Sequence, residues 1–328
     1  MPNPKSKIQN PKLLAWYQAN ARDLPWRRTR DPYAVLVSEF MCQQTTVVAV
    51  VPYFERWMAA FPTVAALAAA DEQAVLGLWQ GLGYYSRARN LHRAAQAVME
   101  RHDGEIPGTL EELRALPGIG DYTAGAVLAF AFDRPAAVVD ANVARVLARL
   151  HDLREPVDGA RGKAFLNEAA WALQPAAGAG EFNSALMELG ALVCKPATPR
   201  CPECPIRGAC RTREPESLPV KRPRAAVTML TERRGFVTDG GRVFLAQSAE
   251  RWRGMWILPL VEVAGAPDHV EVYPITRYRV RMEVLRLGPQ ALPGLRAFAF
   301  DELAAAPIPS PHRRAIEALA AAGAAGHV

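Results

Sequence analysis

Four cysteines lie in one short loop of this sequence: Cys194, Cys201, Cys204 and Cys210. Six, two and five residues separate them. Four thiolates at such spacing can hold a 4Fe–4S cluster or a tetrahedral zinc ion. Structural zinc sites usually pair two Cys-x-x-Cys knuckles, and one is present here, so the spacing favours the iron–sulfur cluster. The fifth cysteine, Cys42, is expected to be a small buried apolar residue.

Glu39 is a carboxylate inside an apolar helical pattern that opens with Asp31-Pro32. On a helix its neighbours include Val35 and Leu36, so a semi-apolar strip flanks the side chain. Such surroundings raise the pKa of a carboxyl, which can then act as a general acid near neutral pH. The simpler alternative is a glutamate that points to solvent or pairs with a surface arginine.

Asp140 follows the apolar pair Val138-Val139 and precedes another helical pattern. An aspartate there is a natural N-cap, which would be explanation enough. At a helix N-terminus it is also expected to stay ionised. One proton-donating carboxyl and one ionised carboxylate are what cleavage of a glycosidic bond requires, so Glu39 and Asp140 form a candidate pair.

Two glycine-containing loops are candidate nucleic-acid contacts. In LPGIGDYTA (116–124), Gly118 and Gly120 permit a tight turn whose N–H groups can bind a phosphate, as in a helix-hairpin-helix. An ordinary corner between two helices explains it equally well. In GLGYYSR (81–87), an aromatic on a glycine loop can enter a base stack, although core packing would also account for it.

The elements that must position these residues are mostly helical up to residue 212. Periodicity predicts helices at 12–20, 32–50, 51–60, 71–79, 86–101, 109–116, 121–132, 141–151, 161–173 and 181–193. Residues 213–226 have the composition of a linker. Beyond it, an alternating pattern around Asp239-Gly240-Gly241 predicts a hairpin, a second run places Tyr278, Val280, Met282 and Val284 on one face, and 311–322 is helical. The predicted domains are therefore 1–212 and 227–328.

Composition favours a nucleic-acid partner. The net charge is +6 and the isoelectric point is near 9.2. No apolar run approaches the roughly 20 residues that span a bilayer, and the first residues lack an apolar signal-peptide region. We expect a monomeric cytoplasmic, nucleoid-associated protein with no membrane contact.

Together these motifs resemble the helix-hairpin-helix DNA glycosylase superfamily, and within it the MutY-type adenine DNA glycosylases. The matching stretches are LPWR (24–27), DPYAVLVSEFMCQQT (31–45), GLGYYSRARNL (81–91), LPGIGDYTAGAV (116–127), VVDANVARV (138–146) and the four-cysteine loop. The resemblance implies a multidomain α plus α+β protein. Its all-helical glycosylase domain would carry a four-cysteine 4Fe–4S loop at 194–210, and a small Nudix-like α+β domain would follow.

The implied function is a monofunctional glycosylase in base excision repair. It would flip out adenine mispaired with 8-oxoguanine or guanine in double-stranded DNA and hydrolyse the N-glycosidic bond. By resemblance, Glu39 is the acid and Asp140 stabilises the sugar cation. The same resemblance gives Tyr122 and Asn142 orienting roles and places Arg27 in the base pocket.

Further residues are implied to contact DNA. Gln44 and Tyr84 match residues that enter the stack near the lesion, and Gly118 and Gly120 lie in the hairpin. A lyase of the endonuclease III type carries a lysine at the hairpin position of Tyr122, and a phenol cannot form the required imine. We therefore expect little or no strand cleavage, although a thymine-mismatch glycosylase could carry the same tyrosine.

The tail resembles the Nudix-like domain of this family through RGMWILP (253–259). It has no acidic Nudix box, so we expect no hydrolysis of nucleoside diphosphates. Where many members have Phe-Ser-His, this chain has Ile275-Thr276-Arg277. This difference either weakens the recognition of 8-oxoguanine or gives the contact to Thr276 and Arg277.

Two alternatives remain open. One is an endonuclease III-like glycosylase and lyase that acts on damaged pyrimidines. The other is a non-catalytic iron–sulfur DNA-binding protein, which would need neither Glu39 nor Asp140.

Overall fold

The structure, a computed structural model, describes residues 10–223, 225–239, 241–288 and 294–325. Contacts divide the chain into two compact units. The first contains Met1–Ala68 and Arg93–Pro223, and the second contains Ala69–His92 and Arg224–Val328. The junction after residue 223 falls inside the segment predicted as a linker.

The chain is helical up to the four-cysteine loop. Its helices are α1 (Asn10–Asn20), α2 (Pro32–Cys42), α3 (Val47–Ala60), α4 (Val64–Ala68), α5 (Glu72–Trp79), α6 (Ser86–Arg101), α7 (Leu110–Arg114), α8 (Asp121–Phe130), α9 (Ala141–His151), α10 (Ala160–Leu173) and α11 (Ala179–Leu192). Side-chain caps begin several of them. Asp31 accepts a hydrogen bond of 3.0 Å from the Tyr33 N–H, and Pro32 occupies the first helical position.

The helix predicted over 32–50 is wrong in its extent. The helix that carries Glu39 ends at Cys42, and α3 begins at Val47. Gln44 lies between them with a left-handed φ of 58°. A residue in this conformation interrupts the hydrogen-bond ladder of an α-helix, and the sequence there contains no glycine or proline to announce it.

One core cluster of the first unit lies between α1, α9 and α11. Leu147, Phe182 and Leu186 are fully buried there, and Leu13 of α1 packs against them. This packing fixes the start of α9, where Asp140 lies, relative to α11. The first unit therefore holds its functional side chains on packed helices.

The second unit is built around a mixed sheet with α12 (Ser310–Ala325). Its strands in the described ranges are β1 (Thr228–Thr238), β2 (Arg242–Gln247), β3 (Trp256–Ile257), β4 (His269–Ile275), β5 (Tyr278–Leu287) and β6 (Arg296–Ala299). The order is β3-β2-β1-β5-β4, and β6 also pairs with β2. The predicted hairpin is confirmed by the antiparallel pairing of β1 with β2, although Gly240 lies outside the described residues.

The alternation predicted for β5 is confirmed. Val280, Met282 and Val284 are fully buried, whereas Arg279 and Arg281 are exposed. The buried side chains pack with Phe236 of β1 and with α12, which gives the second unit its own core. β1 pairs in parallel with β5 over ten residues, a pairing that hairpin signals cannot predict.

Residues 69–92 group with the second unit, whereas the sequence placed them in the helical domain. The reason is a set of contacts between α5 and the turn before β3, where the Gln73 side chain hydrogen bonds to Gly254 and Trp256. No helix in the described part of the chain is long and apolar enough to cross a membrane.

Candidate active site

Glu39 lies in the wall of a cavity of about 510 Å³ in the first unit. Its residue is 7% exposed, because α2 is buried along most of its length. The same cavity is lined by Tyr122, Asp140, Asn142, Arg27 and Gln44. The structure therefore brings together the six residues of this unit that the sequence analysis assigned to catalysis, the base pocket and the stack near the lesion.

Burial raises the pKa of Glu39 to about 7, chiefly because the ionised carboxylate is withdrawn from water. A hydrogen bond from Tyr122 and the Arg27 guanidinium oppose the rise, and the negative charge of Asp140 adds to it. The raised pKa expected from the apolar helix strip is thus confirmed. A carboxyl with this pKa carries a proton in a large fraction of molecules at neutral pH.

Asp140 caps α9, as its position predicted. Its Oδ1 accepts a hydrogen bond of 2.7 Å from the Val143 N–H, and its Oδ2 accepts one of 2.9 Å from Asn142 Nδ2. Burial raises the pKa of Asp140 above its ordinary value, so it acts against the expected ionised form. The donated hydrogen bonds oppose that rise and favour the carboxylate form.

Asn142 connects Asp140 to a buried arginine. Its Oδ1 accepts a hydrogen bond of 2.8 Å from Arg145 Nη2. The same nitrogen donates to the Gly190 carbonyl at 2.7 Å, and Arg145 Nε donates to the Cys194 carbonyl at 2.7 Å. A continuous set of hydrogen bonds therefore links the candidate catalytic carboxylate to the first cysteine of the loop.

Glu188 of α11 is a functional candidate that the sequence analysis missed. Its side chain is fully buried and accepts hydrogen bonds from Arg22 Nε at 2.6 Å and from Arg27 Nη2 at 2.7 Å. Burial alone would raise the pKa of Glu188, but the two guanidinium groups outweigh it and the pKa lies below its ordinary value. The ion pairs fix Arg22 and Arg27 in the cavity wall. A charged residue between buried Leu186 and Leu189 was the signal available in the sequence.

Cys42 differs from its expectation as a buried apolar residue. It is half-buried and lines the same cavity, one helical turn beyond Glu39. The thiol therefore contributes to the pocket wall.

The two glycines of the hairpin lie at the start of α8. Gly118 adopts a left-handed φ of 76°, and Gly120 is the N-cap residue. A Cβ atom at Gly120 would meet nothing within 4 Å, so this side of the turn is open to a backbone phosphate. Tyr122 is the second residue of α8, and it lines the cavity that contains Glu39. The start of the hairpin helix therefore contributes to the candidate site.

The four cysteines of the loop line one cavity of about 330 Å³. Burial raises the pKa of the Cys204 thiol to about 11, and the other three thiols, which lie close enough to act on it, add to the rise. Arg149, which is fully buried, donates to Cys194 Sγ at 3.3 Å and to the carbonyls of Lys195 and Pro196 at 2.7 Å. Among the described residues, no group of three or more acidic, histidine or cysteine side chains is arranged to hold a metal ion.

In the second unit, Tyr84 projects from the loop between α5 and α6. It is 48% exposed and has a left-handed φ of 47°. Its neighbour Tyr85 is buried, as core packing predicted for that position. Only one tyrosine of the pair is therefore available to a partner.

Thr276 and Arg277 form the two-residue turn between β4 and β5, which is closed by the pairing of Ile275 with Tyr278. Thr276 has a φ of 50°, an unusual value for a β-branched residue. Arg277 is exposed and donates a hydrogen bond of 2.7 Å to the Tyr278 hydroxyl. Both side chains are at the tip of a hairpin.

Comparison with known proteins links these features to base excision repair. Residues 37–165 match the family described as "HhH-GPD superfamily base excision DNA repair protein". The adenine DNA glycosylase of Mycolicibacterium smegmatis is 44% identical over 202 residues, which cover 61% of this chain and 68% of that relative. The human adenine DNA glycosylase is 46% identical over 211 residues, which cover 62% of this chain and 39% of that relative. The chain thus spans about two fifths of the human relative's length.

Solved structures share the fold of about two thirds of the chain. A structure described as a thermostable thymine-DNA glycosylase superposes with a TM-score of 0.56 at 29% identity, covering 63% of this chain and 95% of that one. A non-covalent endonuclease III–DNA complex also has a TM-score of 0.56, at 24% identity, with 66% of this chain and 98% of that one covered.

Proposed function

Because the chain belongs to the adenine DNA glycosylase family of the HhH-GPD superfamily, we propose that it excises adenine mispaired with 8-oxoguanine or guanine in duplex DNA. The observation that carries this proposal is the pairing of Glu39 and Asp140 in one cavity. Glu39 has a pKa of about 7, and Asp140 is held as an acceptor by two donors.

The first role belongs to Glu39. Its protonated carboxyl donates a proton to the adenine ring, which makes the base a better leaving group. The N-glycosidic bond then breaks, and both of its electrons leave with the adenine. The resulting Glu39 carboxylate takes a proton from the water that attacks the sugar, so the acid is restored at the end of the reaction.

The second role belongs to Asp140. The sugar becomes cationic as the bond breaks, and the Asp140 carboxylate stabilises that charge, directly or through a transient covalent bond. Asn142 and the Val143 N–H hold the carboxylate in place. Arg27, fixed by Glu188, lines the pocket for the base.

Tyr122 distinguishes the proposed enzyme from a lyase. It hydrogen bonds to Glu39, and its pKa lies well above the ordinary tyrosine value because of burial and the nearby carboxylates. A neutral phenol has no amine that could form a Schiff base with the sugar. The proposal is therefore a monofunctional glycosylase, and the endonuclease III-like alternative is disfavoured.

The proposed cofactor of the four-cysteine loop is a 4Fe–4S cluster, which the number and spacing of the cysteines support. The four side chains also line one cavity, of about 330 Å³. Cys194, Cys201, Cys204 and Cys210 would be the cluster's ligands. Bound, the cluster would supply a covalent staple for the loop and no step of the hydrolysis.

DNA binding completes the proposal. Gln44 and Tyr84 would enter the stack near the lesion, and Gly118 and Gly120 would contact a phosphate. Residues 227–328, the part of the second unit that contains the sheet, would form a Nudix-like domain that recognises 8-oxoguanine through the Thr276–Arg277 turn. The basic net charge would add affinity that does not depend on sequence.

The test is single-turnover excision on duplexes that contain adenine opposite 8-oxoguanine, guanine or thymine, together with a G:T duplex. Each reaction is divided, and one half is treated with alkali to cleave abasic sites. We expect strand breakage only after alkali, fastest for adenine opposite 8-oxoguanine. Strand breakage without alkali would indicate a lyase. Thymine release from the G:T duplex, with no adenine release from the others, would show that the substrate is mispaired thymine and not adenine.

A Glu39→Gln variant separates enzyme from binding protein. The proposed enzyme loses excision and keeps DNA affinity, whereas a non-catalytic binder is unaffected in every assay. Absence of adenine release from any duplex by the unmodified protein contradicts the proposed function.

A further inference from the structure

The turn before β3 binds helix α5 through one glutamine side chain. Gln73 Nε2 donates a hydrogen bond of 2.8 Å to the Gly254 carbonyl. Gln73 Oε1 accepts one of 3.1 Å from the Trp256 indole N–H. Both ends of the amide are thus used, which fixes the side chain in one orientation.

Two further features hold the same turn close to residues 69–92, the segment that contains α5 and the start of α6. Arg89 Nη1 donates a hydrogen bond of 2.6 Å to the Arg253 carbonyl. Gly254 has a φ of 82°, and a Cβ atom there would come within 2.9 Å of Glu72 Oε1 and 3.3 Å of Leu76. Glycine at 254 therefore lets α5 approach the turn closely.

The other end of α5 holds the Tyr84 loop. Trp79, the last residue of the helix, donates its indole N–H to the Gly83 carbonyl at 3.1 Å. Arg87 Nη2 donates to the carbonyls of Leu82 and Gly83 at 3.1 Å, and its guanidinium lies 5.2 Å from the Trp79 ring and 5.8 Å from the Tyr84 ring. The loop is therefore fixed from α5.

We propose that Gln73 is a positioning residue, which holds α5 to the Gly254–Trp256 turn and thereby sets the Tyr84 loop for insertion into the DNA stack. This inference rests on the proposed function, in which Tyr84 is the inserted side chain. Tyr84 needs such support because a non-glycine residue at a φ of 47° keeps that conformation only when its surroundings impose it. The Gly254–Trp256 turn would thus contribute to insertion, in addition to the recognition of 8-oxoguanine proposed for the Thr276–Arg277 turn.

The experiment compares Gln73→Leu with Gln247→Leu in the full chain. Gln247 Nε2 also donates to the Gly254 carbonyl, at 3.0 Å, but it is on β2 and does not contact α5 in that bond. It is therefore a matched control of the same residue type and the same acceptor. A third variant, Trp256→Phe, removes the indole N–H and keeps an aromatic ring beside Phe298.

Two readouts are taken on adenine opposite 8-oxoguanine. One is the single-turnover excision rate, and the other is the fluorescence of 2-aminopurine beside the mispair, which reports unstacking. We expect Gln73→Leu and Trp256→Phe to lower both by about 3- to 10-fold, the loss of one or two ordinary hydrogen bonds. Gln247→Leu should stay within about twofold of the unmodified protein.

A double-mutant cycle with Tyr84→Ala tests whether Gln73 acts through Tyr84. If it does, Gln73→Leu has no further effect in the Tyr84→Ala background. A merely structural role would lower the rate equally in both backgrounds, and that additive result overturns the inference. Thermal unfolding of each variant confirms that the compared proteins are folded.

The two levels of the proposal fail differently. If Tyr84→Ala lowers both readouts while Gln73→Leu and Trp256→Phe do not, the proposed function stands and the positioning role is wrong. If Tyr84→Ala changes neither readout, insertion of Tyr84 is wrong, and the role of Gln73 is overturned with it.

Discussion

Two buried carboxyls at the candidate active site, Glu39 and Glu188, have pKa values shifted in opposite directions. Burial on α2 withdraws Glu39 from water, and the pKa of its carboxyl rises to about 7. Glu188 of α11 is even less exposed, yet Arg22 and Arg27, which line the cavity, hold the pKa of that carboxyl below its ordinary range. Burial alone therefore does not decide protonation, because the partners of the carboxyl can outweigh it.

Asp140 combines both influences. Burial raises its pKa, as it does for Glu39, but hydrogen-bond donors on α9 favour its charged form, as the arginines do for Glu188. Glu39 is therefore the carboxyl that can give a proton near neutral pH, whereas hydrogen bonds and ion pairs favour the charged forms of Asp140 and Glu188.

The largest effect is expected from Glu39→Gln. Because the amide cannot donate the proton, single-turnover excision should fall by about 10²–10⁴-fold. In the unmodified protein, the rate should fall as the pH rises above about 7, because the acid loses its proton. A rate of the variant within tenfold of the unmodified protein would remove Glu39 from the chemistry.

Although Glu39→Gln should lower the excision rate, it should raise the free energy of unfolding at alkaline pH. The folded-state pKa of Glu39 is above the unfolded value, so its stabilising neutral form is fully present below pH 4.5 and is lost as the pH rises through 7. The step from 4.5 to about 7 corresponds to about 3 kcal/mol. Urea unfolding should therefore show Glu39→Gln more stable than the unmodified protein at pH 8 and equal to it near pH 4.

Glu188→Gln should destabilise the fold by about 3 kcal/mol, because it leaves Arg22 and Arg27 without their counter-charge. The folded-state pKa of Glu188 is depressed, so its contribution is present above pH 4.5 and is lost as the pH falls through the folded value. Urea unfolding between pH 3 and 8 checks this. If the difference in unfolding free energy between the variant and the unmodified protein does not shrink at acid pH, the assigned ion pairs are contradicted.

Asn142→Ala tests the orientation of Asp140. It removes one hydrogen bond to the carboxylate and one acceptor of Arg145, so excision should fall about tenfold. The acid limb of the pH–rate profile should also move to higher pH, since the ionised form of Asp140 loses a donor. Asn167→Ala, on α10, is a control for the loss of an asparagine. An unmoved acid limb would separate Asn142 from Asp140.

The smallest effect is expected from Gln44→Gly, at the break between α2 and α3. Glycine adopts the left-handed φ at no steric cost, so folding stability should rise by up to about 1 kcal/mol. DNA affinity should fall because the side chain near the lesion is lost. Parallel unfolding and binding titrations separate the two, and a loss of both would mean that Gln44 supports the fold.

Local patterns were enough to predict the two carboxylates at the centre of the site. Glu39 is marked by apolar residues at helical spacing, and Asp140 by an apolar run that ends at a helix start. Both signals involve residues within one turn. The burial of Val280, Met282 and Val284 followed from alternation for the same reason.

What could not be predicted depends on residues far apart in sequence. Arg145 meets the Gly190 carbonyl across 45 positions, and Arg22 meets Glu188 across 166. No local pattern pairs them. The break at Gln44 was missed because no glycine or proline marks it in the sequence, and its left-handed conformation is imposed by the surrounding fold.

The grouping of α5 with the sheet also has a consequence for how the chain is made. Gln73 meets Gly254 and Trp256 across 181 and 183 residues. At about 5–20 residues per second, α5 leaves the ribosome roughly 10 to 35 s before its partners exist. We therefore expect the second unit to complete its fold only after synthesis of the sheet. Ribosome-bound chains that stop short of residue 254 should leave α5 open to a protease, and early protection there would contradict this order of events.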